Sequence, residues 1–222
     1  RAKHYVLIQF FIVRNDALGR RLQHHLELAV RRGVRVYFLY DEVGSRKLDE
    51  GYLKDLSNYG VNVSAFRSSR GLKHPFQLNF RNHRKVLVVD GEQGWLGGFN
   101  VGVEYLGESS RHGPWRDTHL MLEGPSVLGL QEAFWEDWHW ARGEVISLAW
   151  QPKSICAENQ DVIIVPSGPA DPQETASLLV QHAIHSARTR FWVTSPYFVP
   201  DQGVQDALRI AAMRGVDVRV MM

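Results

Sequence analysis

A strand, a helix and a second strand are written into this chain twice. HYVLIQFFIV (residues 4–13), a helix and RRGVRVYFLY (31–40) return as TRFWVTSPYFV (189–199), a helix and MRGVDVRVMM (213–222). Strand-helix-strand units with Arg-Gly-Val turns also occur in unrelated α/β chains, because helix-to-strand turns favour glycine. Here the whole pattern restarts, as expected of an internal repeat. Downstream, the two copies differ. His83 lies 50 residues beyond Gly33, whereas only seven residues come after Gly215, so any second copy of the His83 region would fall beyond Met222.

Between the copies the signals predict a strand at 5–13, a helix at about 16–32, a strand at 34–40, a helix at about 48–58 and a strand at 61–65. A long loop then leads to a strand at 84–90, another near 117–123 and a helix from about Pro125 to Arg142. A proline-containing connector near 150–160 leads to a further strand at 161–165. Alternating β and α segments predict a layered α/β fold. The expected domains are residues 1–150 and a second, incomplete unit at 151–222.

With 44% hydrophobic and 11% aromatic residues, 222 residues can bury a substantial core. The single cysteine, Cys156, excludes an internal disulfide and any multi-cysteine metal site. The apolar run at 5–13 is far shorter than the ~20 residues of a membrane-spanning helix. Because the chain begins at Arg1 without a signal pattern, we expect a piece of a longer protein whose own N-terminus, with any membrane anchor, lies outside it.

The net charge of +2 conceals an uneven distribution. Arg67, Arg70, Lys73, Arg81, Arg84 and Lys85 fall in one stretch without an acid, leaving 20 Lys and Arg against 24 Asp and Glu elsewhere. A local positive field concentrates anionic ligands such as phospholipid headgroups, nucleic acid or phosphate esters, although a solvated basic loop has the same composition. Phe76, Leu78 and Phe80 alternate within this stretch, which suits either contact with lipid or a short half-buried strand.

HRKVLVVDGEQGWLGGFN (83–100) abuts the basic stretch. On a strand, His83, Lys85, Leu87 and Val89 project to one side and Arg84, Val86, Val88 and Asp90 to the other. His83 and Lys85 are then about 6.5–7 Å apart at the backbone, a span across which a phosphate can be held. An imidazole nitrogen can attack phosphorus, and a fixed ammonium beside it can stabilise the growing negative charge. Asp90 closes a turn with Gly91 and is expected to give structural support. Gly97 and Gly98 allow close approach, and Asn100 offers an amide donor to a phosphate oxygen. A nucleophilic histidine also needs its second ring nitrogen anchored; Asp117 in GPWRDTHL is the nearest downstream candidate, and a solvated loop acid is the alternative.

HxKxxxxD followed by GGxN resembles the phospholipase D superfamily. The wider runs RNHRKVLVVDG, GGFNVGVEYLG, GPWRDTHLMLEGPSV and TSPYFVPDQGV are similar to bacterial cardiolipin synthases, and the likeness extends over nearly the whole chain. The resemblance implies an α/β fold of layered αβα lobes with a mixed sheet, related as a pseudo-twofold repeat and here truncated in the second lobe. Each lobe gives one HKD motif to a shared site without metal or cofactor. It makes His83 a catalytic histidine, Lys85 and Asn100 phosphate ligands, Asp90 the motif's acid and Asp117 the carboxylate that orients His83; Gly98 and Arg81 join the substrate-binding set. The implied reaction joins two phosphatidylglycerol molecules into cardiolipin, releases glycerol and passes through a phosphohistidine; the alternatives are a phosphodiesterase or nuclease of the same superfamily and a non-catalytic lipid-binding half-site. The implied partners are anionic phospholipid, the bacterial inner-membrane surface and a second HKD motif from the rest of the polypeptide or another subunit, with no nucleic acid. In one departure, Val103 stands where the family usually reads Asp in Gly-Asp-Glu-Tyr.

Other clusters read as structural. Phe134, Trp135 and Trp138 have the spacing of a core-facing helical stripe, with an interfacial tryptophan cluster as the alternative. His182 and His185 lack further ligands to complete a metal site, and the adjacent His24 and His25 are expected on the surface. Asp41-Glu42-Val43-Gly44-Ser45 comes directly after a strand, where α/β folds place active-site loops.

Overall fold

The computed structural model describes residues 1–67, 81–111, 113–154, 160–168, 171 and 173–222. Arg70, Lys73, Phe76, Leu78, Phe80 and Cys156 lie outside the described residues. Two compact units are present, Arg1–Pro166 and Ser167–Met222.

The first unit is built on a mixed sheet. Strands β1 (Tyr5–Phe10), β2 (Arg35–Asp41) and β3 (Asn62–Phe66) run parallel, and β4 (Val86–Val89), β5 (Gln93–Gly97) and β6 (His119–Glu123) continue the sheet antiparallel, giving the order β3-β2-β1-β4-β5-β6. Helices α1 (Ala17–Arg31) and α2 (Glu50–Asn58) cover one face, where Leu26 and Leu56 join Val6, Ile8, Val36 and Phe38 in one core. Helix α3 (Val127–Arg142) covers the other, where Leu130, Phe134 and Trp138 pack against Tyr5, Leu7, Val86 and Val88. The apolar run Tyr5–Ile8 of β1 is thereby explained: Leu7 and Ile8 point to opposite faces and both are buried. Phe134 and Trp138 are core residues, Trp135 is partly buried, and Trp140 lies in solvent. His24 and His25 are exposed on α1.

The second unit contains α4 (Thr175–Ser186), β7 (Arg190–Thr194), α5 (Gln202–Met213) and β8 (Asp217–Met221), with Ile184, Val204, Ala207, Ala211 and Val216 as its core. The sequence echo is a structural echo. β1–α1–β2 and β7–α5–β8 are both parallel β-α-β units. Asp16 and Asp201 cap their helices with carboxylates that accept from Gly19 N–H at 3.0 Å and Val204 N–H at 2.9 Å. Gly33 and Gly215 leave those helices at φ +83° and +87°, a conformation that disfavours any residue with a Cβ. His182 and His185 fall on α4, and no cluster of metal-ligating side chains is found among the described residues.

The strand predicted at 161–165 is not formed. These residues carry no ladder; instead Ile164 packs against Gly129 on α3, so its apolar side chain is partly buried by a helix rather than by strand neighbours. Among the described residues no helix is long and apolar enough to cross a membrane.

Candidate active site

Sheet register decides where the motif residues meet. The C-terminal ends of β1, β2 and β5 and the N-terminal ends of β4 and β6 share one edge, because Gln9 pairs with Val86, Val86 with Leu96 and Gly97 with His119. This rim and the loops leaving it carry Phe11, Asp41, His83, Lys85, Asn100 and Asp117, the position where α/β sheets place their sites.

His83 and Lys85 precede the first residue of β4, so no ladder bond holds them, yet the alternation of sides persists. The Lys85 ammonium Nζ sits 2.9 Å from His83 Nδ1 and donates to the His83 carbonyl at 2.6 Å. The His83 ring packs on Phe11 at 4.6 Å between centroids, and Lys85 Nζ lies 5.3 Å from the centre of the same ring. Lys85 is buried, at 5% exposure. Burial depresses its pKa to about 8 against the opposing charges of Asp117 and Asp41. His83 is itself exposed; partial desolvation of its ring, then the Lys85 charge, lowers its pKa, while Asp41 opposes the shift. A neutral imidazole is therefore favoured, as attack on phosphorus demands. With Lys85 as donor, Nδ1 accepts and Nε2 carries the proton; attack through Nε2 requires the other tautomer, so the amine's proton and the imidazole tautomer are linked.

Asp41 is 1% exposed and reaches this pair from the end of β2. Its Oδ1 accepts from Val43 and Gly44 N–H at 2.9 and 2.8 Å, and its Oδ2 accepts from Asn82 N–H at 2.8 Å. Ser45, at the end of the same loop, donates from Oγ to the Phe11 carbonyl and accepts from Val13 N–H, both at 3.0 Å. The loop after β2 thus anchors the segment before His83 and the aromatic ring beneath it.

Asn100 is buried, with both ends of its amide engaged. Oδ1 accepts from Ile12 N–H at 2.9 Å and Nδ2 donates to Tyr105 Oη at 2.9 Å, leaving one amide hydrogen for a ligand. Val101 N–H to the Ile12 carbonyl and Arg14 N–H to the Val101 carbonyl zip the same loop to the segment beyond β1. Asp117 is exposed, and its carboxylate lies against Gly98: a Cβ built there would stand 2.0 Å from Oδ1. It accepts from Thr118 N–H at 2.7 Å, and its charge acts on Lys85 and His119. The described contacts of the His83 ring are with Lys85 and Phe11. Arg81 is exposed.

Asp90 stands at the far end of β4. It adopts φ +55° beside Gly91 at +70°, and Glu92 N–H closes the turn on the Val89 carbonyl at 3.0 Å. Its carboxylate accepts from the N–H groups of Lys3 at 2.7 Å and of His4 and Tyr5 at 2.8 Å each. Asp90 therefore ties the hairpin to the start of β1. At the position where the sequence departs from the family pattern, Val103 N–H donates to Asp16 Oδ2 at 2.8 Å, so a carboxylate from the N-cap of α1 stands beside this backbone.

Three participants are not singled out by the spacing of the motif. Tyr105 holds Asn100 and packs edge-on against Trp115. His119 stacks on Phe99 at 5.7 Å and, with Asn100, lines an apolar cavity of about 320 Å³ between α1 and the sheet. Asp137 bonds to both neighbours of His83. Each sits in a different element from the motif, and spacing along the chain does not reveal such pairings.

The family model described as cardiolipin synthase, PLD-like domain, matches residues 1–113 and 180–222. Cardiolipin synthase A of Pseudomonas aeruginosa (strain LESB58) is 52% identical over 220 residues, covering 99% of this chain and 45% of that protein. The Pseudomonas putida protein of the same name is 49% identical over 225 residues, with 46% of its length covered. The chain thus spans about half the length of these curated relatives. Among solved structures, phosphatidylserine synthase of Haemophilus influenzae Rd KW20 superposes with a TM-score of 0.67 at 11% identity, over 99% of this chain and 56% of that one; at such identity the likeness is one of fold.

Proposed function

The chain belongs to the phospholipase D-like cardiolipin synthase family, and we propose on that footing that it supplies one half of the active site of a phosphatidyltransferase. In this reading His83 attacks the phosphorus of a phosphatidylglycerol, forming a nitrogen–phosphorus bond as the bond to the headgroup glycerol breaks. The leaving glycerol takes a proton from a second histidine, supplied by a second motif in the rest of the polypeptide or in another subunit. That histidine then removes the proton from a hydroxyl of a second phosphatidylglycerol, which attacks the phosphohistidine and releases cardiolipin and free His83.

The observation that carries the reading is the buried Lys85 ammonium held against the imidazole of His83 at the same rim as Asn100. A cation in so dry a place gains far more from an arriving phosphate than it would in water. Asn100 contributes its remaining amide hydrogen, Gly98 makes room for the Asp117 carboxylate, and exposed Arg81 attracts the headgroup. Asp117 supports the site through the charge of Lys85 and Asp90 through the hairpin behind it. We place the working protein at the bacterial inner-membrane surface, where its lipid substrate resides. The residues named need neither metal nor cofactor for this chemistry.

The test uses mass-tagged phosphatidylglycerol in vesicles and the complete polypeptide that carries this chain. Formation of cardiolipin and glycerol, lost in His83→Ala with an unchanged melting profile, is the expected result. Cleavage of single-stranded nucleic acid without lipid turnover, or full activity in His83→Ala, would overturn the reading.

A further inference from the structure

Asp137 lies on α3, on the opposite side of the sheet from α1 and α2, and one of its oxygens gathers three donors. Oδ2 accepts from Gln9 Nε2 of β1 at 2.6 Å, from Asn82 Nδ2 at 2.7 Å and from Arg84 Nη1 at 2.7 Å. Its side chain is 13% exposed and that of Arg84 25%, so this ion pair is partly shielded from water. Arg84 Nη1 also donates to the Ala133 carbonyl, one helical turn earlier on α3, at 3.3 Å.

Asn82 and Arg84 are the residues on either side of His83. Alternation turns their side chains toward α3 while His83 and Lys85 turn the other way. Their backbones are fixed as well, Asn82 N–H by Asp41 Oδ2 at 2.8 Å and Arg84 N–H by Asn82 Oδ1 at 3.1 Å. This matters because His83 lies three residues before the first residue of β4 and has no ladder partner to hold its backbone. The clamp on its neighbours supplies the restraint that the sheet does not.

We propose that Asp137 is a positioning residue for phosphatidyl transfer, fixing Asn82 and Arg84 from α3 so that the His83 imidazole is held in line for phosphorus. The inference rests on the role proposed above for His83. Asp137 lies on the α3 side, away from the side to which His83 and Lys85 turn, so its loss should act on kcat. In-line attack tolerates little error, and a misplacement of about 1 Å costs on the order of 100-fold in rate.

The experiment compares Asp137→Asn with His83→Ala in the complete polypeptide, measuring kcat and KM for phosphatidylglycerol in vesicles and the rate at which labelled phosphatidyl accumulates on the enzyme. All rates are taken well below each variant's melting midpoint. Asp137→Asn is expected to lower kcat and the rate of enzyme labelling by about 100-fold, with KM within about threefold. A purely structural role would lower the melting midpoint and leave kcat of the folded fraction unchanged, overturning the proposal. A raised KM at unchanged kcat would also overturn it. If Asp137→Asn does not fold, Asn82→Ala/Arg84→Met keeps Asp137 and removes the two donors that matter; the same kcat loss is expected, and full activity refutes the inference. Full turnover in His83→Ala would remove the underlying reading and this one with it, whereas an inactive His83→Ala beside a fully active Asp137→Asn overturns this one alone.

Discussion

Gly98→Ala probes how the Asp117 carboxylate governs Lys85. A methyl group at Gly98 would stand 2.0 Å from Asp117 Oδ1 and 2.3 Å from both Cγ and Oδ2, whereas ordinary contact begins at 3.4 Å. The backbone of Gly98 has no positive φ, and its N–H is bonded to the Thr118 carbonyl at 3.0 Å, so the carboxylate must move rather than the strand end. Asp117 is exposed and free to swing outward by more than about 1 Å, so stability should change little, within the ±0.5 kcal/mol of ordinary surface substitutions. The electrostatic consequence is larger. Asp117 is the first of two charges that hold up the pKa of Lys85, which burial has already lowered to about 8. With the carboxylate displaced, Lys85 loses its proton at still lower pH, and the alkaline limb of kcat/KM moves down. At neutral pH turnover falls by the fraction of Lys85 left uncharged, about twofold if its pKa drops by about one unit to the assay pH. Vesicle assays across the pH range, with a melting curve as control, measure both effects. An unchanged alkaline limb together with wild-type turnover would refute the coupling between Gly98, Asp117 and Lys85.

The parent enzyme should itself show a bell-shaped pH dependence of kcat/KM. The acid limb falls below the ordinary histidine value of about 6.5, since partial desolvation and Lys85 favour neutral His83, and the alkaline limb lies near 8, where Lys85 becomes uncharged; an acid limb above about 7 would contradict the environment described for His83. Asp90→Ala removes the acceptor for three backbone N–H groups and places alanine at φ +55°, so a loss of about 2–3 kcal/mol in chemical denaturation is expected, with Asn milder because it tolerates that conformation.

Much of the site was legible in the sequence because its first requirement is local. The two side chains proposed to share one phosphate sit two residues apart in an extended segment, and the Lys85–His83 contact arises from that spacing even though the strand itself begins only at Val86. The β-α-β echo was legible for the same reason, since helix caps at Asp16 and Asp201 and left-handed exits at Gly33 and Gly215 are set by their immediate neighbours. Residues 161–165 show the limit of such reasoning: an apolar run says that burial is needed and not what provides it, and α3 provides it to Ile164.

Sequence alone determined the chemistry on offer: an imidazole, an ammonium and an amide in one motif, on a chain whose alternating segments build a layered α/β fold. Only tertiary structure decided what each group does with its remaining valences. Asn100 gives one end of its amide to Ile12 and one hydrogen to Tyr105, Asp90 serves the start of β1, Asp41 charges the His83 pocket, and Asp137 clamps the neighbours of His83 from behind the sheet. These partners lie in other elements of the chain. A hydrogen bond between them is fixed by sheet register and helix docking, and neither is set by the residues on either side.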